Sequence, residues 1–381
     1  MLVCERFLRK CKEIAAGFLC EGKGYCLKIG KLLFLGDLYY DFDSVADDII
    51  EMGRWIKDNG YSVILNLEGG IDCYLEHRIK KRGPNLSSSL STIEILKVLN
   101  VVGVTLANNH MLDFGGQSLL HTIKLLDENG IQHTGAGENL NNALKPMCFK
   151  TGDHRNLYVF SAGWDVEETV YARGKTAGCA PRKNNLLLKT IGSYLSSDNV
   201  VIACLHWGFE YNRLPMPVDI NLAHMLISRG VYTVIGSHPH VVQPKEEYMN
   251  RMIYYSLGNF YFSGRRKRFE RKFPNEAIEN QSDYGVGVGM DLLKNQYEEI
   301  TIVYNREKDR SYIIPQDALV LEQLRHEQME NKSAYINEVK IRKRNMNPIL
   351  TGKRVIDPAK ITLLKARHFA GRVKRKILNE E

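Results

Sequence analysis

Residues 101–110 read VVGVTLANNH, an apolar run that ends abruptly in the polar side chains of Asn108, Asn109 and His110. A short β-branched run bounded by polar residues is typical of a buried strand. Helical patterns precede it at 91–99 and follow it at 116–129. A strand between two helices is typical of a βαβ unit in a parallel sheet. The stretch therefore predicts polar side chains at the carboxyl end of a buried strand.

The same alternation recurs along most of the chain and predicts an α/β fold. Further strands are expected at 31–35, 62–66, 157–161, 200–205, 232–235 and 252–256, with helices at 44–57, 184–195 and 220–228. A last group of strands without intervening helices is expected at 286–292, 300–304 and 310–314. This last group indicates a second, more antiparallel sheet.

Side chains that bind metals follow five of the predicted strands, and they are Asp37, Glu68, Asn109 with His110, His206, and His238 with His240. Ligands of α/β sheets bind outside the carboxyl ends of the strands, so these side chains are expected to converge. Carboxylate, amide and imidazole ligands together favour Mn, Fe or Zn over Mg or Ca. The sequence predicts a site for one or two divalent transition metal ions.

Each motif alone has a structural explanation. Asp37 and the Asn108-Asn109 pair could be turn residues, and His206 could be a core histidine. His238-Pro239-His240 is more specific, because the proline fixes the backbone and both imidazoles come from one loop. Their joint occurrence favours a metal or catalytic centre.

Composition excludes several classes of protein. The chain has 381 residues, 44% apolar and 25% charged, which excludes a disordered or collagen-like chain. Its eight cysteines include no CxxC pair, and we find neither an 18-residue apolar run nor a signal-peptide core at the start. These features predict reduced thiols and a cytoplasmic protein.

The positive charge lies at the end of the chain. Residues 340–381 contain 13 Lys or Arg and 3 Asp or Glu, whereas the formal charge of the whole chain is +8. The segment could be a solvated arm, or it could bind the inner membrane surface or a membrane synthase through a helix at 361–376. We expect no nucleic-acid partner, since no recognised module accompanies the charge. A second basic run at 265–272 could bind an anionic polymer or a phosphorylated substrate.

Six motifs follow one another along the chain: Gly36-Asp37, Asn66-Leu67-Glu68, Ala107 to His110 with Asp113, His206-Trp207-Gly208 with Glu210, Gly236 to His240, and Tyr255 to Phe260. Over residues 30–305 this ordered set resembles the bacterial capsule-synthesis CapA, or poly-γ-glutamate synthesis, family. The resemblance implies the fold of calcineurin-like metallophosphoesterases, a four-layer α-β-β-α sandwich. We expect this domain at 30–315, between a helical N-terminal extension at 1–29 and a helical, basic C-terminal extension at 316–381.

The resemblance also implies roles for individual residues. Glu68 would bridge two metal ions, with Asn109, His206 and His238 in one metal site and Asp37 and His240 in the other. His110 would be the general acid, oriented by Asp113, and Asn108 and Glu210 are expected to contact the substrate. Two residues depart from the superfamily pattern: Tyr39 stands where a histidine is usual, and Glu68 where an aspartate is usual. The Asp37–His240 site is therefore expected to be poor in ligands.

Two functions remain open. The first is a metal-dependent hydrolase that cuts a phosphoester or a γ-glutamyl amide bond during production of a cell-surface polymer, and the intact Asn109-His110-Asp113 unit favours it. The second is a non-catalytic metal-binding subunit of a membrane-associated polymer-synthesis complex, which the depleted Asp37 site favours. A secreted polymer-binding protein is disfavoured by the cysteines and the missing signal. The ligand set does not decide between phosphorus and carbon as the electrophile.

Overall fold

The computed structural model describes residues 27–81, 83–163, 169–263, 283–305 and 310–315. The chain divides into two compact units, Met1–Met329 and Glu330–Glu381. The second unit lies outside the described residues. The helix expected at the N-terminus, the basic run at 265–272 and the basic tail also lie outside them.

Strands dominate the described chain. They are β1 (Lys28–Ile29), β2 (Lys31–Tyr39), β3 (Tyr61–Leu67), β4 (Gly70–Ile71), β5 (Ser87–Ser88), β6 (Val101–Thr105), β7 (Gln132–Thr134), β8 (Ala136–Gly137), β9 (Met147–Thr151), β10 (Asn156–Gly163), β11 (Gly178–Cys179), β12 (Asn199–His206), β13 (Thr233–Ser237), β14 (Lys245–Tyr248), β15 (Arg251–Tyr254), β16 (Asn259–Phe262), β17 (Tyr284–Asp291), β18 (Gln296–Asn305) and β19 (Arg310–Pro315).

The described α-helices lie between these strands. They are α1 (Asp47–Asp58), α2 (Thr92–Val98), α3 (Gly115–Glu128), α4 (Leu140–Ala143), α5 (Asn184–Gly192) and α6 (Pro217–Ser228). α1 shows how the sequence forms them: it buries Ile49, Met52 and Ile56 at helical spacing and carries two acidic residues in its first turn. Acidic side chains there interact favourably with the positive end of the helix dipole.

The larger sheet has eight strands in the order β19-β18-β17-β2-β3-β6-β7, with β16 also paired to β2. Strands β2, β3, β6 and β7 are parallel, and β17 joins antiparallel to β2 through register pairs such as Val288 with Phe34. The prediction that the last strands form a separate sheet is therefore wrong. They extend the first sheet, because the alternation of strands and helices does not show which strands are neighbours.

The second sheet has seven strands in the order β1-β9-β10-β12-β13-β15-β14. Strands β10, β12, β13 and β15 are parallel, whereas β9 runs antiparallel to β10 and β14 runs antiparallel to β15. β1 pairs with β9 and begins at Lys28, two residues before the expected domain boundary.

Three apolar clusters hold these elements together. Phe34 and Ile64 of the larger sheet pack with Val159 and Ile202 of the smaller one. A second cluster joins α1, α2 and α3 to the larger sheet, and a third joins α5 and α6 to the smaller one. The packing therefore follows the order helices, sheet, sheet, helices, and the predicted mixed α/β fold is confirmed.

Two glycines allow backbone segments beneath the site to approach closely. A Cβ atom at Gly36 would lie 1.9 Å from the carbonyl oxygen of Gly258, and one at Gly236 would lie 1.9 Å from that of Tyr255. Real Cβ atoms do not approach backbone oxygen so closely, so both positions require glycine. Asp37 follows the first of these glycines directly.

Within the part of the chain that the structure describes, no helix is both long and apolar enough to cross a membrane.

Candidate metal centre

The carboxyl ends of strands from both sheets meet at one place. From the larger sheet come Asp37 in β2, Glu68 directly after β3, and Asn109 four residues after β6. From the smaller sheet comes His206, the last residue of β12, which pairs in register with Ser237 at the end of β13. All of the predicted ligands are buried. The expected convergence of strand ends therefore occurs between two sheets, not within one.

Asp37 lies inside a strand, whereas the sequence placed it just beyond one. β2 continues to Tyr39 because β16 pairs with its last residues, and Asn259 lies opposite Asp37 in register. A register shift between Leu35 and Asp37 interrupts the pairing with β3 at this point. Such an irregularity redirects the following side chain, here the Asp37 carboxylate.

Asp37, Glu68 and His240 form the tightest group, with ligand atoms that all lie within 4.8 Å of one another. His240 Nδ1 lies 3.3 Å from Asp37 Oδ2, and His240 Nε2 lies 3.3 Å from Glu68 Oε1. Burial alone would lower the pKa of His240, but Glu68 and Asp37 raise it well above the usual value for histidine. This corner of the site therefore favours positive charge, as a cation site does.

Asn109, His206 and His238 form a second group beside the first. His206 Nε2 lies 3.0 Å from Asn109 Oδ1, and the rings of His206 and His238 are 4.7 Å apart. Burial, with His238 nearby, lowers the pKa of His206 well below its usual value. Burial and then His240 lower the pKa of His238 to about 4, which the carboxylate of Glu210 partly offsets. Both rings are therefore neutral near pH 7, the form in which histidine binds metals.

Several polar atoms of the two groups are buried without a hydrogen-bond partner. They include both carboxylate oxygens of Glu68, both ring nitrogens of His238 and the amide nitrogen of Asn109. A buried polar atom without a partner costs about 1–3 kcal/mol, so native proteins rarely retain several together. A divalent metal ion would be coordinated by the carboxylate oxygens of Glu68 and a ring nitrogen of His238, so this donor set fits one, whereas the amide nitrogen of Asn109 can only donate a hydrogen bond.

A third group lies beside Glu68 and consists of His110, Asp113 and Lys81. His110 Nδ1 is 2.8 Å from Asp113 Oδ2, and His110 Nε2 lies 3.8 Å from Glu68 Oε1. Lys81 is ion-paired with Asp113, and its side chain is only 1% exposed. One ring nitrogen of His110 is therefore held by neighbouring side chains while the other faces the candidate metal ligands.

The two residues expected to contact substrate differ in their surroundings. Asn108 is buried, and its amide donates to the Leu67 carbonyl at 2.7 Å and accepts from the backbone nitrogen of His110 at 3.1 Å. These bonds tie the loop after β6 to β3, which is a structural use of the side chain. Glu210 is partly exposed and lies in the turn after β12.

Sequence reasoning missed several residues that position the site. Asn66 donates to Asp37 Oδ1 at 2.8 Å, and Asn259 Oδ1 lies 2.9 Å from His240 Nδ1. Both asparagines stand inside the quoted motifs, so their placement was a usable signal. Lys81 stands in a run of basic residues that looks like a solvated loop, and nothing in the sequence marks it. Tyr39, at the position where histidine is usual, donates its hydroxyl to Asp41 Oδ2 at 3.2 Å.

Comparison with known proteins identifies relatives of this chain. A family profile described as bacterial capsule synthesis protein PGA_cap matches residues 21–264. The PGA biosynthesis protein CapA of Bacillus subtilis is 28% identical over 57% of this chain and 57% of its own length. The capsule biosynthesis protein CapA of Bacillus anthracis is 30% identical over 47% of this chain and 44% of its own length.

These alignments extend over only about half of each relative's length. Among solved structures, a phosphatase from Mycoplasma pneumoniae matches 72% of this chain and 93% of its own, with 14% identity and a TM-score of 0.43.

Proposed function

The chain belongs to the bacterial capsule synthesis protein PGA_cap family, and from this premise and the geometry of the site we propose that it is a metal-dependent hydrolase. It would act in the production of a cell-surface polymer and cut a phosphoester or a γ-glutamyl amide bond. The substrate would be an anionic polymer or a phosphorylated precursor of one.

One observation carries the proposal: buried ligand atoms without partners stand next to a hydrogen-bond donor that no ligand role accounts for. Glu68 and His238 supply the unpartnered atoms. His110 Nε2 faces Glu68 from 3.8 Å, and its other ring nitrogen lies between Asp113 and Lys81. A site that only held a structural metal would not require this oriented imidazole.

The proposed roles of the individual residues are as follows. Asp37, Glu68 and His240 would hold one divalent ion, and Asn109, His206 and His238 would join Glu68 around a second. A bound transition metal ion makes water acidic enough to serve as a nucleophile near neutral pH. His110 donates from Nε2 to the oxygen or nitrogen that leaves, a contribution of roughly 10²–10⁴-fold in rate. Asn66 and Asn259 keep Asp37 and His240 in place.

The basic segment at 340–381 supplies a route to the site of polymer production. Clustered Lys and Arg side chains contribute about 1 kcal/mol each near anionic lipid. We propose that residues 348–381 of this segment hold the protein at the inner membrane surface, directly or through a membrane synthase, while the centre works on the polymer or its precursor.

The test is a hydrolysis assay on the full chain with and without added Mn²⁺. The substrates are p-nitrophenyl phosphate, bis-p-nitrophenyl phosphate and poly-γ-glutamate. We expect hydrolysis that requires the metal and that falls by roughly 10²–10⁴-fold in His110→Ala, with metal content unchanged. His121→Ala is the matched control, because His121 pairs with Asp72 near the surface, and it should keep full activity.

The alternative function predicts a different result. If no substrate is cut and cells with His110→Ala make normal polymer while His238→Ala cells do not, the protein is a non-catalytic metal-binding subunit. Hydrolysis without any need for metal would contradict the assignment of the centre.

A further inference from the structure

Lys81 is a buried cation that the roles assigned above do not use. Its ammonium group is ion-paired with Asp113 Oδ1 and lies 3.4 Å from the carbonyl oxygen of Asn109. Its third neighbour is His110 Nδ1, at 2.9 Å. An ammonium group has three N–H donors, so these three partners use all of them. Lys81 is therefore not free to bind a substrate, and every partner lies in the loop from Asn109 to Asp113.

The contact with His110 Nδ1 decides where the imidazole carries its proton. Nδ1 lies 2.8 Å from Asp113 Oδ2, which can only accept a hydrogen bond, and 2.9 Å from Lys81 Nζ, which can only donate one. A neutral imidazole carries a proton on one nitrogen. Nδ1 can therefore donate to Asp113 or accept from Lys81, but it cannot do both.

The count of donors and acceptors favours the tautomer in which Nδ1 accepts a hydrogen bond from Lys81. If Nδ1 carried the proton, a buried ammonium N–H would point at another N–H, without an acceptor. If Nδ1 has its lone pair, each N–H of Lys81 has an acceptor. In that tautomer Asp113 Oδ2 receives no hydrogen bond from His110, but it still accepts one from the backbone nitrogen of Leu86 at 2.8 Å, and Oδ1 is ion-paired with Lys81. An unmet buried donor costs about 1–3 kcal/mol and a charged one costs more, so the contacts favour the tautomer that gives the ammonium group its acceptor.

We propose that Lys81 is a positioning residue that fixes the proton of His110 on Nε2, the nitrogen that faces Glu68. His110 is then a hydrogen-bond donor toward the centre, and Asp113 acts mainly as the counter-ion of Lys81. When Nε2 gives its proton to the leaving atom, Nδ1 takes a proton from Lys81 at 2.9 Å, so the ring stays neutral. Without Lys81, Nδ1 would donate to Asp113 and Nε2 would become an acceptor. The catalytic consequence rests on the proposed hydrolase activity, whereas the tautomer itself does not.

The backbone around Lys81 supports a fixed position. The nitrogen of Ile79 donates to the carbonyl oxygen of Asp113 at 2.9 Å, and the Asn85 side chain donates to the same oxygen at 2.9 Å. Both sides of the Lys81 segment are thus tied to the residue with which Lys81 pairs.

The test is nitrogen NMR of the imidazole rings in the ¹⁵N-labelled full chain at pH 7.5, in the presence of EDTA and after loading with Zn²⁺. The His110→Gln spectrum assigns the His110 signals by their absence. We expect wild-type His110 to carry its proton on Nε2, and Lys81→Met to move it to Nδ1. Lys81→Arg, which keeps N–H donors near Nδ1, should retain the Nε2 tautomer. Lys97→Met, which removes an exposed lysine paired with Glu94, is the matched control and should leave the His110 signals unchanged.

Two outcomes would overturn the proposal. The first is a wild-type spectrum with the proton on Nδ1, and it needs no variant. The second is an Nε2 tautomer that persists in Lys81→Met. If Lys81→Met does not fold, the wild-type and Lys81→Arg spectra decide, because loss of the Nε2 tautomer in a folded arginine variant also contradicts the mechanism. None of these readouts depends on a substrate, so a failure of the proposed hydrolase activity would be distinguished from a failure of this inference.

Discussion

Replacement of His238 by glycine should remove metal binding with little cost to the metal-free fold. His238 is fully buried, neither ring nitrogen has a hydrogen-bond partner, and its backbone has a φ of 94°. That φ strains any residue with a Cβ atom by about 1–3 kcal/mol. In the metal-free protein His238 is therefore an unfavourable residue for stability. We attribute its presence at this position to metal binding.

The expected magnitudes follow from these features. Truncation of a large buried side chain costs about 3–5 kcal/mol. The glycine variant also loses two unpartnered ring nitrogens, which cost about 1–3 kcal/mol each, and the backbone strain. These gains offset most of the cost of truncation. We expect the metal-free His238→Gly protein within about 2 kcal/mol of metal-free wild type. His238→Ala, which keeps the strain, should be less stable than the glycine variant by about 1 kcal/mol.

Added metal should increase the difference in stability between wild type and the two His238 variants. A ligand at 100 times its Kd stabilises the native state by about 2.7 kcal/mol. Wild type should gain stability of this order at saturating Mn²⁺, and both variants should gain far less. The assay is urea unfolding with EDTA or Mn²⁺, followed by tryptophan fluorescence, to which the buried Trp207 next to His206 contributes.

The stability of the protein at acidic pH should also depend on His238. Burial first, and then His240, lower the pKa of His238 from 6.5 to about 4, so the unfolded chain binds this proton more readily than the folded one. Stability then falls as pH drops from 6.5 to 4, and this residue accounts for a loss of about 3 kcal/mol that the glycine variant avoids. The reasoning would be refuted by a glycine variant that gains as much from Mn²⁺ as wild type, or that loses 5 kcal/mol or more without metal.

Three further predictions concern other parts of the chain. Gly36→Ala should destabilise the protein by at least about 3 kcal/mol in thermal or urea unfolding, because backbone blocks the new methyl group, whereas Gly30→Ala, with open space around it, should change stability by less than about 0.5 kcal/mol. Arg182→Met should cost about 3–5 kcal/mol, because it leaves the buried Asp219 carboxylate unpaired, and adding Asp219→Leu should recover most of the loss. The full chain should float with anionic vesicles in a salt-sensitive manner, and a chain ending at Asn347 should not; equal flotation of the two would contradict membrane binding by the tail.

Much of the fold and the site could be predicted from the sequence, because strand ends are marked by an abrupt change from apolar to polar residues. Asn109, His206 and His238 lie where that change placed them, and the structure brings them together. The alternation of strands and helices also predicted the parallel parts of both sheets. The neighbours of the last strands were mispredicted, since the pairing of β17 with β2 joins residues about 250 positions apart. Periodicity contains no information about such distant contacts.

Lys81 shows the second limit of sequence reasoning. Its neighbours Lys80 and Arg78 are exposed, and its own side chain is buried only because the chain turns toward Asp113 at this point. Composition and spacing are the same for a solvated basic run and for one that contributes a single buried cation. The expected shortage of ligands at the Asp37–His240 site stays a prediction, and Glu68, the residue expected to bridge, lies 3.3 Å from His240.

The most direct test of the account is the position of the metal in crystals of the zinc-loaded full chain, located by anomalous scattering at the zinc edge. The account predicts a peak about 2.0–2.2 Å from a Glu68 carboxylate oxygen and from the ring of His240, with Asp37 as a further ligand. The peak should disappear in Glu68→Gln and remain in the surface control Glu94→Gln. A zinc-loaded crystal without a peak among Asp37, Glu68 and His240, or with zinc bound only elsewhere, would contradict the central claim.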